Sequence, residues 1–118
     1  MYGGVKMTWN EAIGNTLADV QASGIMDELR SYLRIDGTDD DAVLFTCAKA
    51  AIEYIKNAVG EFDEDSSTAM ILMYALTQEF YEGRQLNQSE IQQKLSAKYQ
   101  YKSIILQLQM AKAEKDSE

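Results

Sequence analysis

Apolar residues recur along this chain at intervals of three and four, the spacing that lines one face of an α-helix. Val43, Leu44, Cys47, Ala48, Ala51, Ile52, Ile55 and Val59 give the clearest case. Lys49, Glu53, Lys56 and Asn57 fall mainly on the other side, with Lys49 and Glu53 four apart, where opposite charges attract. Thr38 or Asp39 can cap this helix, and Asp40 and Asp41 sit in its first turn, where acids suit the helix dipole. Gly60 fits the position just past its end.

Weaker patterns flank it. Trp9, Ile13, Leu17 and Val20 predict a marginal amphipathic helix over 8–22, too weak to stand without a partner surface. Gly3, Gly4, Gly14 and Gly24 punctuate that region. Residues 26–33 predict a short helix with Leu29, Tyr32 and Leu33 on its stripe. It runs into Ile35-Asp36-Gly37-Thr38, a turn in which Gly37 can take positive φ.

After the acidic linker Glu61-Phe62-Asp63-Glu64-Asp65, Ser66 or Ser67 caps a helix over 67–82, and Gly83 ends it. Its residues Ala69 to Leu76 are apolar on every side, and a helix apolar all round is buried all round. A domain with three or four helices seldom covers every face of one of them. Met70, Ile71, Met73 and Tyr74 are therefore expected to meet another subunit. A helix over 88–98 follows, with Ser89 as cap and Ile91 and Leu95 inward. Tyr99, Tyr101 and Lys102 read as a bend, Ile104, Ile105, Leu108 and Met110 as a last short helix.

The fold predicted is all-α, a small bundle of about four to five helices with a short C-terminal helix. Residues 1–25 read as a weakly ordered or marginally helical extension, 26–112 as the helical domain and 113–118 as a frayed polar tail. A length of 118 residues fits one domain, and the absence of Pro favours long helices.

Charge is unevenly placed. The net formal charge is −8; residues 1–65 carry 13 acids and 5 bases, while 66–118 carry 6 of each. A protein of this sign does not grip phosphates by counterion release, although it can line a passage that DNA does not stick to. Lys94, Lys98 and Lys102 recur every four residues. They read as a solvated face or, more sharply, as a basic stripe for an acidic partner surface or the DNA backbone.

Little chemistry is on offer. Histidine, the commonest general base and metal ligand, is absent. The one cysteine, Cys47, lies in an apolar stripe and reads as a buried inert thiol. No phosphate-binding glycine loop or nucleophile elbow occurs. Asp36, Asp39, Asp40 and Asp41 lack the order of an EF-hand loop, so capping accounts for them without a metal. No cofactor is expected. No signal peptide or membrane span is recognisable, which points to a reducing cytoplasm and no membrane partner.

Residues 29–60 resemble the opening of the phage head–tail connector family, often also labelled "DNA packaging". The likeness rests on Tyr32-Leu33-Arg34-Ile35-Asp36, the acids Asp39 to Asp41, and Ala51, Tyr54, Ile55 and Gly60. Further on, Phe80-Tyr81-Glu82-Gly83-Arg84 is similar to the family's aromatic-Tyr-Glu-Asn-Arg ending, and residues 103–109 are similar to its Leu-rich last helix. The likeness covers about 26–110. Residues 1–25 extend beyond it, Gly83 replaces the Asn, and no Pro marks the bend before the last helix.

The resemblance implies a non-enzymatic subunit of about four helices, forming a homo-oligomeric ring under the portal protein. It implies that the ring closes the filled head and receives the next connector or a tail-completion protein. DNA would pass through its lumen without sequence-specific binding, in a virion assembled in the bacterial cytoplasm. Asp39, Asp40 and Asp41 would face that lumen or the neighbour's basic segment around Lys94, Lys98 and Lys102. The alternative is a small helical phage-encoded regulator that binds DNA or a protein partner. The absent basic recognition helix and the net charge stand against it.

Overall fold

A computed structural model describes residues 7–84, 89–90, 93–94 and 98–117. Six α-helices and no strands are found among them: α1 (Trp9–Ala12), α2 (Leu17–Ser23), α3 (Ile25–Leu33), α4 (Asp41–Val59), α5 (Ser67–Glu82) and α6 (Tyr99–Asp116). The all-α class is as predicted. The helix expected over 88–98 falls largely outside the described residues, Ile91 and Leu95 included.

Helices α4 and α5 form the central pair, and their inner faces carry most of the core. From α4 come Leu44, Phe45, Cys47, Ala48, Ala51, Ile52 and Ile55; from α5 come Ala69, Leu72, Met73, Leu76 and Phe80. The stripe expected on α4 is corrected at one edge. Val43 points outward and Phe45, missing from the predicted stripe, is buried. Lys49 lies over the Phe45 ring at 4.6 Å, so that edge is closed by a cation.

The predicted start of α4 needs a second correction. Neither Thr38 nor Asp39 caps it; Asp40 occupies the N-cap, in a backbone conformation that gives no side-chain capping bond. Its carboxylate accepts the Tyr81 hydroxyl instead. The stop is as read: Gly60 takes φ 101 and its N–H donates to the Lys56 carbonyl at 2.8 Å. Ser66 caps α5 by accepting the Ala69 N–H at 3.2 Å.

The single helix expected over 8–22 is two. Thr8 and Glu11 form a capping box at α1, and Thr16 caps α2 after a break at Ile13 to Asn15. Trp9, Ala12, Val20 and Ile25 join the same core as α4 and α5. What fixes α1 is Glu64 in the α4–α5 linker. Its carboxylate accepts the N–H of Trp9 at 2.5 Å and that of Asn10 at 2.8 Å. The first N–H groups of a helix have no internal partner, and an anion there also suits the dipole. Phe62, from the same acidic linker, is buried beneath.

The last helix is not short. Tyr99 to Lys102, read as a bend, begins it, and the tail read as frayed continues it to Asp116. No Gly or Pro interrupts that span, and its C-terminal residues are good helix formers. Tyr101 is buried, while Ile104, Ile105 and Leu108 pack half-buried on the bundle. Gln109 donates to the Ala58 carbonyl at 2.7 Å and Lys115 pairs with Glu61 at 2.7 Å, so the tail is tied to the end of α4.

Candidate functional site

The corner between α3 and α4 holds a closely bonded polar cluster. Arg30 meets Asp41 in a two-pronged bond, Nε to Oδ1 at 2.7 Å and Nη2 to Oδ2 at 2.6 Å. Gln21 adds a bond to Asp41 Oδ2 at 2.8 Å, and Arg30 Nη1 reaches Asp27 at 2.5 Å. Asp41 is 1% exposed, a buried charge with every near partner in its own chain. The Arg30 guanidinium holds its carboxyl below the usual carboxylate range.

Arg34 closes α3 in a left-handed conformation (φ 60), unusual for a residue with a side chain. Leu33 and Ile35 pack against the core on either side of it, and Asp36 is exposed. The corner thus faces outward as a polar recess lined by Asp27, Arg30, Ser31, Arg34, Asp36 and Thr38.

Two aromatic contacts tie α5 to this corner. Tyr74 stacks on Tyr32 at 5.1 Å between ring centres, and its hydroxyl donates to Glu28 at 3.4 Å. Burial first, then Glu28, pushes the Tyr74 pKa up. The buried Nε1 of Trp9 has no hydrogen-bond partner among the described residues. Tyr81 donates to Asp40, and Arg84 lies over the Tyr81 ring at 4.5 Å while bonding its carbonyl at 2.6 Å. Glu82 is exposed and accepts from Gln78 at 3.0 Å. Tyr54 is half-buried against the core and Ile55 fully inside it. These residues hold the α3–α4–α5 corner in shape.

The residues expected at a subunit interface are split by the fold. Met73 is wholly buried and Asp41 is bound to Arg30, so neither is available to a neighbour. Asp40 is engaged by Tyr81. Lys98 pairs with Glu79 at 2.8 Å, and Lys94 lies 3.9 Å from the same carboxylate. Lys98 is thus folded back on α5, while Lys94 and Lys102 stay exposed. Within the one chain α5 leaves Ile71 57% exposed, with Met70 and Tyr74 half-exposed beside it. Asp39 is exposed as well. Two outward apolar residues on α6, Leu106 and Met110, were not expected.

Burial pushes the Cys47 thiol up to about 11, away from the reactive thiolate. Among the described residues no three His, Cys, Asp or Glu side chains converge as a metal-holding group. No helix among them is long and apolar enough to cross a membrane. The fold and the corner define a small all-helical module.

A family model described as "Phage gp6-like head-tail connector protein" matches residues 25–116. The chain belongs to that family and is a structural phage protein of the head–tail connection. No curated protein and no solved structure matches it.

Proposed function

We propose that this chain is a connector subunit that assembles as a homo-oligomeric ring below the portal protein of a phage or prophage particle. The ring completes the DNA-filled head and receives the next connector or a tail-completion protein. The observation that carries this reading is the family match across 25–116, which takes in α3 to α6 and the whole α3–α4–α5 corner. The role needs no cofactor and no reaction. It needs a rigid subunit with different patches on different sides, because a closed ring joins one patch to another on the neighbour.

Ile71, Met70 and Tyr74 on the outer face of α5 offer one such patch, and exposed Asp39 near the α3–α4 corner offers another. The net charge of −8 suits a lumen through which DNA slides without binding. The regulator reading gains nothing from the fold, since Glu79 lies beside Lys94 and Lys98 and offsets their charge.

The test is light scattering after size exclusion, on the chain alone and mixed with purified portal protein, followed by negative stain. A ring-shaped species, alone or on the portal, supports the proposal, and Ile71→Lys is expected to weaken it. A chain that neither self-associates at high concentration nor binds the portal would sink it.

A further inference from the structure

The outward face of α6 carries a ridge of four residues at steps of four: Lys102, Leu106, Met110 and Glu114. Leu106 is 55% exposed and Met110 58%, and both charged residues are exposed. The inward face of the same helix is a separate set, Tyr101, Ile104, Ile105, Leu108 and Lys112. The flanking outward positions Gln107 and Ala113 are uncharged. Lys102 and Glu114 are therefore the only charges on the ridge. Neither makes an ion pair among the described residues, although Lys112 and Lys115 of the same helix both do.

The order along the ridge is cation, apolar, apolar, anion. Turned end for end, it matches itself. An antiparallel copy sets Lys102 against the second copy's Glu114 and Leu106 against its Met110, and two-fold symmetry repeats each contact. A parallel copy would oppose like charges at both ends. The ridge spans about 18 Å, and i±4 ridges interdigitate at a crossing angle of about −50°, the commonest helix-pair geometry in globular proteins. At that angle the two ridges run alongside each other over their length, which keeps the end charges in register.

We infer that the free protein forms a two-fold dimer through this face of α6. A two-fold contact uses the same patch on both subunits and closes at two. It is a different contact from the head-to-tail one a ring requires, so the inference goes beyond the proposed function and does not depend on it. One helix pair buries less than a standard interface, so the dimer is reversible and concentration-dependent.

The experiment is sedimentation velocity on the full chain at low and high concentration, with charge-swap variants. The wild type shifts from monomer to dimer as concentration rises. Lys102→Glu and Glu114→Lys, each alone, bring like charges together at both ends and weaken the dimer at least tenfold. The double variant K102E/E114K restores it, because the opposed pairs are re-formed with signs exchanged. Leu106→Lys removes it while thermal melting stays within a few degrees of wild type, since the side chain is more than half exposed.

Rescue by the double swap is specific to antiparallel self-pairing. A wild type that stays monomeric at all concentrations overturns the inference, as does a dimer indifferent to Leu106→Lys or one not restored by the double swap. A large ring that assembles equally well in all variants overturns the dimer while leaving the ring reading intact.

Discussion

Arg30 and Asp41 stand eleven positions apart in sequence, yet they meet fork to fork at 2.6 and 2.7 Å across the turn between α3 and α4. The Asp41 side chain is 2% exposed and that of Arg30 14%. A buried pair of this kind adds little over a well-packed apolar pair of the same volume, but removing one partner strands the other's charge in the interior. Arg30→Ala is expected to destabilise the fold by about 3–5 kcal/mol. Arg30→Lys should fall well short of wild type, because an ammonium cannot reach both oxygens. Urea unfolding followed by circular dichroism measures both; a loss below 1 kcal/mol for Arg30→Ala would show the pair to be decorative.

The same pair sets an acid limit. Asp41 has a folded pKa below its ordinary value, chiefly because Arg30 holds its charged form. An unfolded Asp titrates near ~3.9, so the stabilisation is complete above that pH and drains away as pH falls through the folded value. Stability of the wild type should therefore drop as pH falls below about 4, and Asp41→Asn should flatten that part of the curve. A curve of unchanged slope in Asp41→Asn would place the acid sensitivity in other carboxylates.

Glu64 makes a second long-range link, and this one has an optical reporter. Its carboxylate caps α1 through the N–H groups of Trp9 and Asn10, and Trp9 is the only tryptophan. Glu64→Ala leaves those donors without their anion and should cost about 1–2 kcal/mol. The Trp9 emission should shift to the red as α1 loosens, before the global unfolding transition. Emission unchanged from wild type across the same range would mean that apolar packing alone holds α1.

What the chain's pattern disclosed and what it hid divide along sequence distance. Gly60 and Ser66 were legible because a helix end is decided within four residues of itself. The capping pairs Thr8 with Glu11 and Thr16 with Asp19 were just as local, and they mark the two starts that the single helix over 8–22 obscured. The length of α6 was hidden by its mixed surface, since apolar residues lie on two opposite faces and blur the period. Glu64 read as part of an acidic linker and Lys98 as part of a solvated face because their partners, Trp9 and Glu79, lie 55 and 19 positions away. No local rule finds such a partner. Of the candidate interface, exposed Ile71 was visible in the unbroken apolar run, but the withdrawal of Met73, Asp41 and Lys98 into the fold was not.

Cys47 offers a check on the core itself. Its thiol is buried and its pKa is pushed up to about 11. At neutral pH it should react with an aromatic disulfide reagent only through global opening, so its rate should rise in step with urea-induced unfolding. Fast modification under native conditions would show that α4 and α5 part locally.

The turn after α4 separates two effects that usually travel together. Gly37 and Gly60 both take positive φ, 79 and 101, where a side chain is strained. A Cβ at Gly37 meets nothing within 4 Å, whereas one at Gly60 meets Lys112 Cε at 3.0 Å. Gly37→Ala therefore measures the backbone alone, about 1–2 kcal/mol. Gly60→Ala should cost more, because Lys112 is pinned there by its pairing with Asp116 and must give way. The excess should be about 0.5 kcal/mol or more, the range seen for residues in contact. Adding Lys112→Ala should erase the excess and leave the backbone cost. If G60A and G60A/K112A differ only by the effect of K112A measured alone, α6 does not press on the end of α4, and the ties made by Gln109 and Lys115 would have to hold it there unaided.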